Sequence, residues 1–108
     1  MTLEEAWAIG ILDGECWMGT LKTSRSARIQ VAMTDLDVLQ RLQKLWGGNI
    51  YVIDNAQTRR NPHWKKAWNL VIAKRNDIRS ILRKAIPLLS IRRAYKAENI
   101  LDYLDGVV

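Results

Sequence analysis

Residues 6–15 read AWAIGILDGE, a helix-like run that is apolar on nearly every side, with glycines at 10 and 14 and carboxylates at 13 and 15. A glycine inside a helix costs about 0.5–1 kcal/mol relative to alanine, so Gly10 needs a reason. Ala6, Gly10 and Gly14 recur at a spacing of four and form a flat stripe that lets another backbone come close. Trp7, Ile9, Ile11 and Leu12 occupy the other faces, so the helix reads as buried on more than one side. One side covers the chain's own sheet. No other helix of the chain carries a matching stripe, and the natural partner is the same helix of a second copy in a self-complementary twofold contact.

Asp13 and Glu15 fall at the negative end of the helix dipole, where a carboxylate is disfavoured by roughly 0.3–1 kcal/mol. A twofold axis through the stripe brings both copies' acids together, and hard divalent cations such as Mg²⁺ relieve such a cluster. The other reading of the same residues is that Gly14 ends the helix as a C-cap and leaves the acids solvated.

Working outward, Thr2 with Glu5 is a capping box that starts this helix, which is predicted to run to about Asp13. Residues 16–23 and 27–33 read as a hairpin, with Ile29, Val31 and Met33 on one face and Arg28, Gln30 and Ala32 on the other. Thr34 with Asp37 suggests a cap for an amphipathic helix carrying Leu36, Leu39, Leu42, Leu45 and Trp46, which Gly47 and Gly48 end. A second hairpin over 49–54 and 65–73 surrounds the polar loop NAQTRRNPHW. Asn76 or Asp77 is the predicted cap of a helix that Pro87 stops, and a last helix spans about 91–105. The order αββαββα plus a C-terminal helix predicts one α+β domain over 1–108, a four-stranded antiparallel sheet with helices on one face.

The 108 residues suit one domain that buries about two-thirds of its unfolded surface. No apolar run approaches the roughly 20 residues of a membrane span, and the acidic start is unlike a signal peptide; the chain is expected to be intracellular, not secreted. Cys16 is the only cysteine and His63 the only histidine, which excludes an internal disulfide and a Cys/His metal cage. Any metal must be held by oxygen. The net charge of +6 points to a polyanion, and its distribution says more. Lys22, Arg25 and Arg28 lie in an acid-free stretch, and so do Arg59, Arg60, Lys65, Lys66, Lys74 and Arg75.

Ala8–Glu15, AIGILDGE, resembles the LAGLIDADG motif of the homing endonucleases, with Gly10, Asp13, Gly14 and Glu15 on its most characteristic positions. The element order is also similar to that family's saddle-shaped fold, so the resemblance extends over the whole chain. It implies divalent-metal-dependent hydrolysis of both strands of double-stranded DNA at a near-palindromic site, by a homodimer, since the chain carries one motif. The resemblance further implies Glu15 as the metal-binding acid, aided by the Gly14 carbonyl, with Mg²⁺ or another divalent cation as cofactor. It puts a second catalytic position at Asp35 and a supporting basic residue at Arg92, in PLLSIRR. Bland roles exist for both: Asp35 begins a helix, where an acid is favoured anyway, and Arg92 suits a solvated helix face. The dimer interface would take Ala6, Gly10, Ile11, Asp13 and Gly14.

In that frame strand alternation turns Arg28, Gln30 and Asn69 toward DNA, where Arg suits guanine and Gln or Asn suits adenine. Lys22, Arg25, Gln57, Arg59, Arg60, His63, Lys65 and Lys66 join them from the hairpins and their tips, with His63 a loop contact and not a base. Trp46 and Trp68 read as core residues. The sequence departs from the family pattern at Cys16 and Trp17, where small residues commonly follow the motif; bulk there narrows the room for a metal or a scissile phosphate. Two alternatives stay open: a catalytically inactive DNA-binding regulator or RNA splicing maturase, and a module whose basic hairpins meet acidic proteins.

Overall fold

The computed structural model describes residues 1–22, 25–53 and 66–106. Thr2 accepts from the Glu5 backbone N–H and the Glu5 side chain accepts from the Thr2 N–H, both at 3.0 Å, so the capping box that the sequence announces is made. It opens α1 (Leu3–Glu15), which leads without a break into β1 (Cys16–Leu21). The chain continues through β2 (Ser26–Met33), α2 (Leu36–Trp46), β3 (Asn49–Ile53), β4 (Ala67–Ile72) and α3 (Arg75–Ala85). A 3₁₀ turn (Ile86–Leu88) containing Pro87 and a last helix, α4 (Ile91–Leu104), complete it.

The strands form one four-stranded sheet in the order β1-β2-β4-β3 with every pair antiparallel. Alternation along β2 buries Ala27, Ile29 and Val31 and leaves Arg28 and Ala32 exposed. Leu70 and Ile72 of β4 are buried beside them, against Leu39 and Leu42 of α2, Ile78 and Leu82 of α3 and Leu12 of α1. All helices therefore cover one face, as an α+β layer architecture requires. Trp46 and Trp68 pack half-buried against that core. At the α2–β3 corner Gly48 has φ +93°, and a Cβ there would meet the Val71 carbonyl oxygen at 2.6 Å, so only glycine closes the turn.

Several boundaries differ from the sequence reading. α1 ends at Glu15, not Asp13, and its C-cap is Cys16 in an extended conformation. Gly14 is thus inside the helix and is no C-cap; sheet pairing of Cys16 with Val31 pulls the chain out of the helix instead. α2 is capped at Asp35 rather than Thr34, and α3 at Lys74 rather than Asn76 or Asp77, in neither case by a side-chain hydrogen bond. Packing of Leu39 and Ile78 under the sheet fixes these starts more strongly than a cap does.

Candidate active site and nucleic-acid face

α1 is gripped on its flanks by its own chain. Arg41 of α2 makes a fork to Glu4, with both nitrogens at 2.6 Å, and stacks 3.8 Å from the Trp7 ring centre. Lys84 of α3 donates to Glu5 at 2.8 Å, which with the Thr2 amide holds that carboxyl down to about 2. Ala8, Ile9 and Leu12 are buried, whereas Leu3, Ala6, Gly10 and Gly14 face outward. A Cβ added at Gly10 or Gly14 meets nothing within 4 Å. In the single chain α1 is therefore covered on one side, and the small-residue stripe, the side that the sequence reading gives to a second copy, is open. Ile11, expected at the interface, is half-buried and packs partly against the chain's own core.

Glu15 closes α1, is exposed, and makes no hydrogen bond or ion pair among the described residues. Asp13 is engaged: its Oδ1 accepts the Ser90 backbone N–H at 2.9 Å, a bond that lowers its pKa below the usual carboxylate range. Arg93, which the sequence reading passed over, donates through Nη1 to the Leu12 carbonyl at 3.1 Å and the Cys16 carbonyl at 2.7 Å, and reaches Cys16 Sγ at 3.3 Å. Burial pushes the Cys16 thiol up, and Arg93 offsets that in part. The i, i+3, i+4 and i+7 run of Arg92, Tyr95, Lys96 and Asn99 on α4 was the signal in the sequence that a helix face turns toward this place. These residues line a groove of about 450 Å³ along β1 beside Cys16 and Trp17.

Because Cys16 pairs with Val31, the start of β1 and the end of β2 share one end of the sheet. Glu15 and Asp35 therefore leave the sheet at the same end, and so do Ile53 and Ala67. Asp35 is exposed; its carbonyl receives the Val38 and Leu39 amides at 3.1 and 3.4 Å while its carboxylate caps nothing. Among the described residues no cluster of three acids, cysteines or histidines can hold a metal. The donors that are present, one free carboxylate beside helix-terminal carbonyls, are hard oxygens and fit Mg²⁺ as part of a shell completed by water, phosphate or a second copy.

The open face of the sheet carries the polar set. A groove of about 550 Å³ is lined by Arg28, Gln30, Asn49, Tyr51, Asn69 and Lys74. Asn69 Nδ2 donates to Gln30 Oε1 at 3.4 Å, and Asn69 Oδ1 is buried without a partner among the described residues, so this amide pair has unused capacity there. Tyr51 is exposed on the same face, and strand alternation in β3 could have placed it there. Lys22, Arg25 and Lys66 are exposed; Arg25 sits at φ 49° and its carbonyl receives Arg75 Nη2 at 2.7 Å, tying the first hairpin to α3. The two hairpin connections leave opposite ends of the sheet. Gln57, Arg59, Arg60, His63 and Lys65 lie outside the described residues.

No family sequence profile matches the chain, and no curated protein matches it in sequence. Solved structures do. The homing endonuclease I-CvuI, in complex with the I-CreI target, superposes with a TM-score of 0.66 at 16% identity over 97% of this chain and 68% of that one. The homing endonuclease I-TnaI gives 0.62 at 19% identity, over 97% and 74%. The group I intron-encoded homing endonuclease I-CeuI, complexed with DNA, gives 0.70 at 13% identity, over 97% and 55%. A four-stranded antiparallel sheet under helices, entered through a glycine-bearing first helix, is in this chain the fold of the LAGLIDADG homing endonucleases.

Proposed function

We propose that the chain acts inside the cell as a homodimeric endonuclease on double-stranded DNA with a near-palindromic site, using a divalent cation. The observation that carries this reading is Glu15: an acid placed at the unfavourable end of a helix, exposed, with no ion pair among the described residues, next to an uncovered Ala6–Gly10–Gly14 stripe. Leu3, Leu88 and Ile91 are also exposed, the last two within two residues of Ser90, whose amide meets Asp13, so apolar surface also lies near that end of α1. Burial against a second copy removes it from water.

Under this reading Glu15, with the Gly14 carbonyl, holds the cation. A bound Mg²⁺ would lower the pKa of its water and neutralise charge on the scissile phosphate. Arg92 and Lys96 hold that phosphate in the β1 groove, Asp35 orients water from the same sheet end, and the Arg28, Gln30 and Asn69 row reads base edges while the exposed lysines and arginines grip phosphates. The similar solved structures of I-CvuI and I-CeuI are complexes with DNA, which supports the choice of partner.

The test is selection from a random duplex library, followed by cleavage with Mg²⁺. Glu15→Gln is expected to abolish cutting while leaving binding within a few-fold of the parent, and wild-type cutting by that variant defeats the assignment. A second reading, a DNA-binding regulator or RNA maturase without cleavage, is favoured by the half-exposed Trp17 two residues beyond Glu15. It predicts bound but uncut duplex at every divalent concentration.

A further inference from the structure

We propose that Asp13 and Arg93 are positioning residues that lock the end of α1 to the start of α4 and so hold Glu15 and Arg92 at fixed relative places; this rests on the nuclease reading above. α1 passes into β1 with no residue between them, so the direction of Glu15 depends on what fixes that junction. Arg93 supplies one half of the lock. Its single Nη1 binds the Leu12 and Cys16 carbonyls, one on each side of the Asp13–Glu15 segment, at the negative end of the α1 dipole.

Asp13 supplies the other half. Ser90 is the N-cap residue of α4 but makes no capping bond with its side chain. The Asp13 carboxylate, from a different helix, takes the Ser90 amide at 2.9 Å instead. The bonds at positions 90 and 93 bracket Arg92, just as those at 12, 13 and 16 bracket Gly14 and Glu15. Of the charged groups at this junction, Asp13 and Arg93 are consumed internally; Glu15 and Arg92 are exposed and unengaged among the described residues. The two motif acids thus divide the work: one fastens, the other is presented. This is a different assignment from two acids meeting at a dyad as joint ligands.

A residue that only caps would lower the melting temperature and nothing else, whereas one that places Glu15 would change affinity for the cation. The experiment measures calcium binding to the protein–DNA complex by calorimetry, the Mg²⁺ half-saturation of cleavage, KM for DNA, and thermal melting. Arg93→Met is expected to weaken calcium binding and raise the Mg²⁺ requirement by about 10–100-fold, as loss of a residue supporting a ligand does, with KM for DNA unchanged. Arg93→Lys restores most of the effect. Asp13→Asn keeps an acceptor oxygen and behaves close to wild type, because its amide oxygen can still take the Ser90 N–H; Asp13→Ala resembles Arg93→Met and is the second route should that variant not fold. The inference is overturned if folded Arg93→Met or Asp13→Ala keeps wild-type calcium affinity, or if Asp13→Asn loses calcium as completely as Glu15→Gln, which would make Asp13 a ligand. Wild-type cleavage by Glu15→Gln instead removes Glu15 from the cation site, and the lock then has nothing to position; duplex bound but uncut by the wild type at every divalent concentration sinks the nuclease reading itself.

Discussion

Gly19 decides where the Trp17 indole lies. A Cβ on Gly19 would come within 2.8 Å of two atoms of that ring, so the absent side chain lets the indole lean along β1, with Lys96 Nζ 5.8 Å from its centre. Gly19→Ala is expected to fold, since the ring can swing away, but to displace an aromatic surface beside Glu15. Its duplex affinity should then fall with that of Trp17→Ala, as read by fluorescence anisotropy; a Gly19→Ala protein that binds like wild type removes the indole from the interface. Glu5 gives a pH prediction. Its folded value, near 2 against the ordinary 4.5, is lower than in the unfolded chain, so its contribution to stability is complete above pH 4.5 and is lost as pH falls from there toward 2. Urea unfolding between pH 5 and pH 2 should show that slope, and Glu5→Gln should flatten it.

The two central strands carry the molecule's rigidity and, on their other face, its chemistry. Leu70 of β4 is fully buried beneath the helices, and Leu70→Ala should cost about 2–5 kcal/mol in chemical denaturation. Arg28→Ala and Gln30→Ala, one residue out of phase on β2, should leave stability within about 0.5 kcal/mol while weakening DNA binding. Arg28→Ala should also reduce the slope of log affinity against log salt if it touches phosphate. The contrast works because alternation separates the two faces completely. It was visible in the sequence for β2, where Ile29 and Val31 alternate with Arg28 and Gln30. It was ambiguous for β1, since Cys16 and Met18 face the core beside a tryptophan and a glycine whose placement depends on each other.

At the scale of the whole molecule the question is what covers α1. Gly10→Ala adds a methyl group that meets nothing within 4 Å in the single chain, and helix propensity alone should then raise stability by about 0.5–1 kcal/mol. If the stripe packs against a second copy, the same methyl group falls between two close backbones, and sedimentation equilibrium should show weaker self-association. Gain of thermal stability without any change in mass at all concentrations would leave the stripe without a partner. The sequence by itself determined the layer architecture, the outward stripe and the polar sheet face, because these follow from periodicity and from glycines and carboxylates where a helix disfavours them. Only the tertiary structure decided which acid is free and which is spent, because Asp13 and Glu15 look alike along the chain. What separates them is contact with α4 about eighty residues away: the Ser90 amide and the Arg93 guanidinium reach the α1–β1 junction because α4 packs across it in the folded chain.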